Sequence, residues 1–185
     1  MRRGVDVGGI GVATLTLLRH ASPKAEYHKR YIGHTDLSID VQLWEAKKAA
    51  EILRLSFDAV YSSDLMRCTQ TLEHLGFDHF IPDIRLREVR FKQQFEGKNF
   101  RQIEQTEGFD PAFLHTRERW HSYICDEPYE DFRGRIVNFL EEIPHNKRIL
   151  ICSHGGTIGE ICTILQPNHN YPPLHYLEHT ILRVK

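Results

Sequence analysis

The stretch TLTLLRHASP, residues 14–23, runs from apolar and β-branched residues directly into Arg19, His20 and a proline. A run of apolar and β-branched residues like this one reads as a buried strand. The charged pair at its end needs an explanation. An arginine is almost never fully buried unless it is paired, so Arg19 at the mouth of such a strand asks for an anionic partner.

Working outward, a second stretch repeats the pattern. RILICS (148–153) is a buried strand ending in Ser153 and His154, and Gly155-Gly156 leads into a helix over 156–165. DAVYSS (58–63) is a third strand, followed by a helix from about 64 to 74 that carries Arg67 in its first turn. A short strand at 79–82 precedes Leu86-Arg87-Glu88 and a polar loop.

The spacing predicts an amphipathic helix over 40–55 with Val41, Leu43, Trp44, Ala50, Leu53 and Leu55 at its apolar positions and Ser38 or Asp40 as cap. Residues 99–145 read as mostly helical, with an apolar stripe through Phe132, Ile136, Phe139, Leu140 and Ile143. A proline-containing loop (166–176) leads to a last strand at 179–184. Strands alternating with helices predict an α/β fold, a three-layer sandwich whose mainly parallel central sheet is flanked by helices. In such sheets the active crevice lies beyond the carboxyl ends of the strands.

A length of 185 residues suits a single domain over 1–185. Residues 1–11 read as a loose leader, because Asp6 and several glycines interrupt any signal-peptide core. Gly8, Gly9 and Gly11 precede the strand instead of following it, so they are not a dinucleotide fingerprint. Residues 89–147 read as a largely helical insert over the site. With 24 basic and 25 acidic residues the chain carries no global field that would attract nucleic acid or a membrane surface. No run reaches the ~18 apolar residues of a membrane span. The four cysteines follow no metal or redox spacing and read as reduced, buried thiols of a cytoplasmic protein. His169, His175 and His179 fit no compact ligand spacing, so neither metal nor cofactor is expected, and the remaining histidines read as surface residues.

The strand ends together supply the chemistry of an anion site. Arg19 and Arg67 can bind phosphate oxygens with forked hydrogen bonds, Arg67 near a positive helix end. Gly155 and Gly156 allow close backbone approach. His20 is placed to act as a nucleophile. Glu88, with Phe91 and Phe95 close in sequence, is expected in apolar surroundings suited to proton donation, with Glu26 and Glu96 as rivals for that role. Ser22, Gly33, His34 and Gly155 are candidate phosphate or substrate contacts. Trp120 with Arg117 and Arg119 is a candidate lining of the substrate mouth or, equally, part of a packed helix face.

LLRHASP, YSSDLMRCTQT, LREVRFKQQFEGK and ICSHGGTIGE, in this order, resemble the motifs of the histidine phosphatase (phosphoglycerate mutase-like) superfamily over about residues 14–165. The resemblance implies His20 as the phosphorylated nucleophile, Glu88 as proton donor and later base, and Arg19, Arg67 and His154 as the phosphoryl clamp. It implies a metal-independent phosphatase acting on a small phosphorylated metabolite. The α-ribazole phosphatase-like branch is the most similar, through the compact length, Gly33-His34-Thr35-Asp36 and the ending Phe95-Glu96-Gly97. The rivals are mutase-type phosphoryl transfer and a non-catalytic phosphate-binding module, in a monomer or homodimer. The chain departs from the family pattern at Ala21 after the dyad, at Glu26 where many members place asparagine, after Asp40 where a glycine is usual, and at Gly159 where an arginine is frequent.

Overall fold

The computed structural model describes residues 13–184; the leader reading of residues 1–11 lies outside them. Five strands, β1 (Ala13–Arg19), β2 (Ala59–Ser62), β3 (Ile81–Pro82), β4 (Arg148–Ser153) and β5 (His179–Val184), form one sheet in the order β3-β2-β4-β1-β5. All neighbours are parallel except β5, which runs antiparallel to β1 at the edge. The helices are α1 (Ala46–Leu53), α2 (Met66–His74), α3 (Phe100–Glu104), α4 (Arg117–Ile124), α5 (Tyr129–Glu142) and α6 (Gly155–Leu165).

Side chains alternate across a strand, and β1 and β4 use this to fill two cores. Leu15, Leu17, Ile149 and Ile151 pack on one face with Phe132, Ile136 and Phe139 of α5 and Ile158 and Ile161 of α6. Leu18, Leu150 and Cys152 face the other way, toward Ala49 and Ile52 of α1 and Cys68 and Leu72 of α2. The result is the three-layer sandwich expected of continuous apolar strands. All four cysteines are free and buried, and no helix among the described residues is long and apolar enough to cross a membrane.

Register then positions the site. Arg19 pairs with Ser153 across β1 and β4, and Ser62 pairs with Cys152 across β2 and β4. The ladder continues one step beyond the strands: His20 N donates to the Ser153 carbonyl and Ser63 N to the Cys152 carbonyl. Three chain segments distant in sequence therefore end flush at one edge.

Two local expectations are corrected. The helix expected over 40–55 is a 3-10 turn, Val41–Leu43, followed by the shorter α1. Asp40 caps the turn by accepting from Gln42 N, Val41, Leu43 and Leu53 are exposed, and Ala49 and Ile52 make the buried contacts. The short stripe follows the sheet face it covers, which the sequence alone does not display. His121, expected at the surface, is buried, and its Nε2–H donates to the Glu127 carbonyl at 2.7 Å.

Ile151 lies fully buried in β4, between β1 and β2. Replacing it with alanine is expected to cost about 2–5 kcal/mol through lost burial and a residual cavity, read as a lower urea midpoint with an unchanged slope.

Candidate active site

Beyond the carboxyl ends of β1 and β4 lies a cavity of about 260 Å³. Arg19, His20, Arg67, Glu88, His154, Gly155 and Gly156 all contribute to its wall. The rings of His20 and His154 are 5.2 Å apart, centroid to centroid.

His20 is buried, and its Nδ1 lies 2.7 Å from the Ala21 carbonyl oxygen. A carbonyl only accepts, so Nδ1 carries the hydrogen and the Nε2 lone pair is the one left for chemistry. Burial holds the His20 pKa well below the ordinary imidazole value, and the charges of Arg67 and Arg19 add to this. The ring is therefore neutral at neutral pH.

Arg67 enters from the first turn of α2 and is almost fully buried. Its Nη1 donates to the Thr35 carbonyl at 2.9 Å, its Nη2 to the Gly33 carbonyl at 2.7 Å and its Nε to His154 Nδ1 at 3.1 Å. Arg19 donates from Nη1 to the Leu174 carbonyl at 2.6 Å and lies against the ring of Tyr176, 4.3 Å from its centroid. Its buried Nε has no hydrogen-bond partner. Among the described residues neither arginine forms an ion pair with a carboxylate. Two guanidinium charges at one cavity wall, fixed by neutral carbonyls, favour an anionic ligand there.

His154 is engaged on both sides. Nδ1 accepts from Arg67, and Nε2 donates to Ser63 Oγ at 2.8 Å. Burial, then Arg67, His20 and Arg19, pushes its pKa well below the ordinary value. In this arrangement both ring nitrogens hold protein groups, and the ring lies in the cavity wall beside His20.

Glu88 differs from the apolar setting expected of it. Its Oε1 accepts from Val89 N at 3.0 Å and Thr157 N at 3.1 Å, and its Oε2 from Gly156 N at 2.9 Å. The carboxylate is seated on the N-terminus of α6, where free N–H groups and the helix dipole favour an anion. Gly156 is required for this seat: a Cβ there would lie 2.5 Å from Glu88 Oε1. Oε2, with a single donor, is the oxygen with room for a proton.

The other candidates sort clearly. Gly155 lines the cavity, and a Cβ there would meet the Arg19 guanidinium at 3.6 Å. Ser22 is turned away: its hydroxyl donates to the Pro23 carbonyl and lies 2.6 Å from His28 Nε2. Gly33 and His34 support the wall instead of forming it. The Gly33 carbonyl receives Arg67, its N–H is held by Glu96, and His34 Nε2 donates to the Glu88 carbonyl at 2.9 Å. Glu96 is occupied by Gly33 and Thr35, and Glu26 is exposed, so neither rivals Glu88 for the cavity. Trp120 packs on Tyr31 and Phe100, and Arg117 pairs with the buried Glu160, away from the cavity wall.

Sequence reading missed Ser63, Thr157 and Tyr176. The first two sit inside quoted motifs and could have been found there. Tyr176, in an irregular loop before β5, had no signal. Among the described residues no cluster of three or more His, Cys, Asp or Glu side chains could hold a metal ion.

A parallel α/β sandwich whose strand ends gather two arginines, two histidines and a glutamate at one cavity defines a class of fold and site. The chain belongs to the histidine phosphatase superfamily (branch 1), whose description matches residues 15–184. Its structure is similar to TTHB049 from Thermus thermophilus, with a TM-score of 0.70 at 23% identity, covering 91% of this chain and 92% of that one. It is similar to Bacillus stearothermophilus YhfR, with a TM-score of 0.71 at 24% identity over 91% and 90% of the two chains. For a phosphoglycerate mutase from Bacillus anthracis str. Sterne the TM-score is 0.75 at 18% identity, over 95% and 89%. At these identities the likeness is one of fold. No curated protein sequence matches the chain.

The lowered pKa values of His20 and His154, with that of His34 lowered by burial, set the sign of a pH effect. These rings stay neutral in the folded chain, whereas in the unfolded chain they take up protons near pH 6.5. Their stabilising contribution is fully present above pH 6.5 and is lost as pH falls toward the depressed values. The urea midpoint should drop between pH 7 and 5, and the drop should be shallower in His20→Asn. Identical profiles for the two proteins would contradict this assignment.

Proposed function

We propose that the protein is a metal-independent phosphomonoesterase that hydrolyses a small phosphorylated metabolite through a phosphohistidine intermediate. The observation that carries this reading is a neutral, buried imidazole beside two guanidinium groups that have no carboxylate partner among the described residues. A phosphoryl group with its negative oxygens is the complement of that arrangement.

The ester phosphate docks against Arg19 and Arg67, which position it and offset charge on its equatorial oxygens. His20 Nε2 attacks phosphorus in line with the ester oxygen. The N–P bond forms as the P–O bond breaks, and Glu88 gives the leaving oxygen its proton. Water then attacks phosphorus, Glu88 recovers a proton from it, and the N–P bond breaks to release inorganic phosphate and neutral His20. His154 holds Arg67 in place throughout.

Besides the charged and histidine groups, the cavity wall includes Arg30, Tyr31 and Tyr176 together with apolar Ile32, Leu37, Val89 and Phe91, so it offers both polar and apolar contacts to the leaving group. α-Ribazole phosphate, suggested by the motif resemblance, is the first candidate to assay, alongside phosphoglycerates and aryl phosphates.

His20→Ala should abolish turnover while sparing the fold, and the wild-type protein quenched during turnover should carry an acid-labile, base-stable phosphoryl group. Glu88→Gln should slow hydrolysis of alkyl phosphates by about 10²–10⁴-fold. It should slow p-nitrophenyl phosphate much less, because that leaving group departs without a proton. Full activity in His20→Ala would refute the mechanism. Phosphate binding with no trapped phosphoenzyme would indicate a binding module, and turnover only with a bisphosphate primer would indicate a mutase.

A further inference from the structure

We propose that Arg135 of α5, braced by Glu127, is a positioning residue for Glu88. The inference rests on the proposed role of Glu88 as proton donor. It begins from a guanidinium whose five N–H groups are all used. Nε donates to Glu127 Oε1 at 2.7 Å and Nη2 to Glu127 Oε2 at 3.1 Å. The remaining three go to main-chain carbonyls of one short segment: Arg85 and Arg87 through Nη1, and Glu88 through Nη2 at 3.1 Å.

That segment has little regular structure to hold it. A 3-10 turn, Ile84–Leu86, ends just before it, and no strand or helix covers residues 87–99. Arg135 therefore acts as the missing ladder, supplying donors to carbonyls that no neighbouring strand reaches. The Glu88 carbonyl receives His34 Nε2 as well, so the main chain of this residue is gripped from two sides. Its carboxylate is meanwhile seated on the N-terminus of α6. Main chain and side chain are fixed independently, leaving Glu88 no freedom to swing.

Only a forked, planar cation can serve three carbonyls and both oxygens of a carboxylate at once. A lysine has three donors on one atom and cannot span them. Glu127 contributes the counter-charge and sets the rotation of the fork; the pair is mostly buried, with side-chain exposures of 18% and 14%. Misplacement of a reacting group by about 1 Å from a change outside the reacting centre can cost about 10²-fold in rate. Arg135 lies on α5, whose Phe132, Ile136 and Phe139 pack on the sheet, so the same contacts tie that helix to the Glu88 segment.

The test compares Arg135→Lys and Glu127→Gln with wild type and Glu88→Gln. In Arg135→Lys, kcat for alkyl phosphates should fall by up to about 10²-fold, with a much smaller fall for p-nitrophenyl phosphate and little change in KM. Glu127→Gln should show the same selectivity in weaker form, and it keeps the test available should Arg135→Lys fold poorly. An activity-independent readout is the ¹³C resonance of the Glu88 carboxyl, assigned by its loss in Glu88→Gln. It should move in Arg135→Lys while the circular dichroism spectrum stays that of the wild type. Equal losses on both substrates, or an unmoved resonance, would overturn the proposal. Failure of the phosphatase reading shows separately, as absence of phosphoenzyme in the wild-type protein, while the resonance still reports on Arg135.

Discussion

Two positive charges that meet no negative side chain among the described residues are the constraint around which this site is built. Arg67 is almost completely buried, yet its guanidinium is held by two carbonyls and a neutral imidazole. Arg19 is held by one carbonyl and the face of an aromatic ring, with its Nε unpartnered. Neutral acceptors orient a cation without cancelling its charge. The surplus potential therefore points at the cavity, and it adds to burial, the main cause, in lowering the pKa values of His20 and His154.

The sheet is what makes this tolerable. Parallel strands β1, β4 and β2 end in register, so the polar residues that follow each apolar run emerge at one edge. The N-terminus of α6, starting directly after β4, adds a field of the same sign. Glu88 uses that field, seating its carboxylate on Gly156 N and Thr157 N. Glu88 and His20 thus share one cavity while being held by different elements. The N-terminus of α6 is occupied by the chain's own Glu88.

Support for the site comes largely from main-chain carbonyls. Arg67, Arg19, Arg135 and His34 all donate to carbonyls of irregular segments. These segments, residues 33–35, 85–88 and the turn before β5, lack ladder partners of their own. Arginine is suited to this task because one planar group satisfies several buried acceptors together.

The sequence by itself determined the alternation of strands and helices and the five residues Arg19, His20, Arg67, Glu88 and His154 that line the cavity. Those features are local: an apolar run declares a buried strand, and a motif keeps its residues at fixed separations. The extent of α1, the burial of His121, the turning-away of Ser22 and the supporting place of His34 were decided only by the tertiary structure. The same holds for the seat of Glu88 on α6 and for the contacts of Arg135 with the carbonyls of Arg85, Arg87 and Glu88. These depend on which backbone donors and acceptors remain unpaired once the chain has packed. That is a property of segments meeting in space, and no spacing along the chain records it.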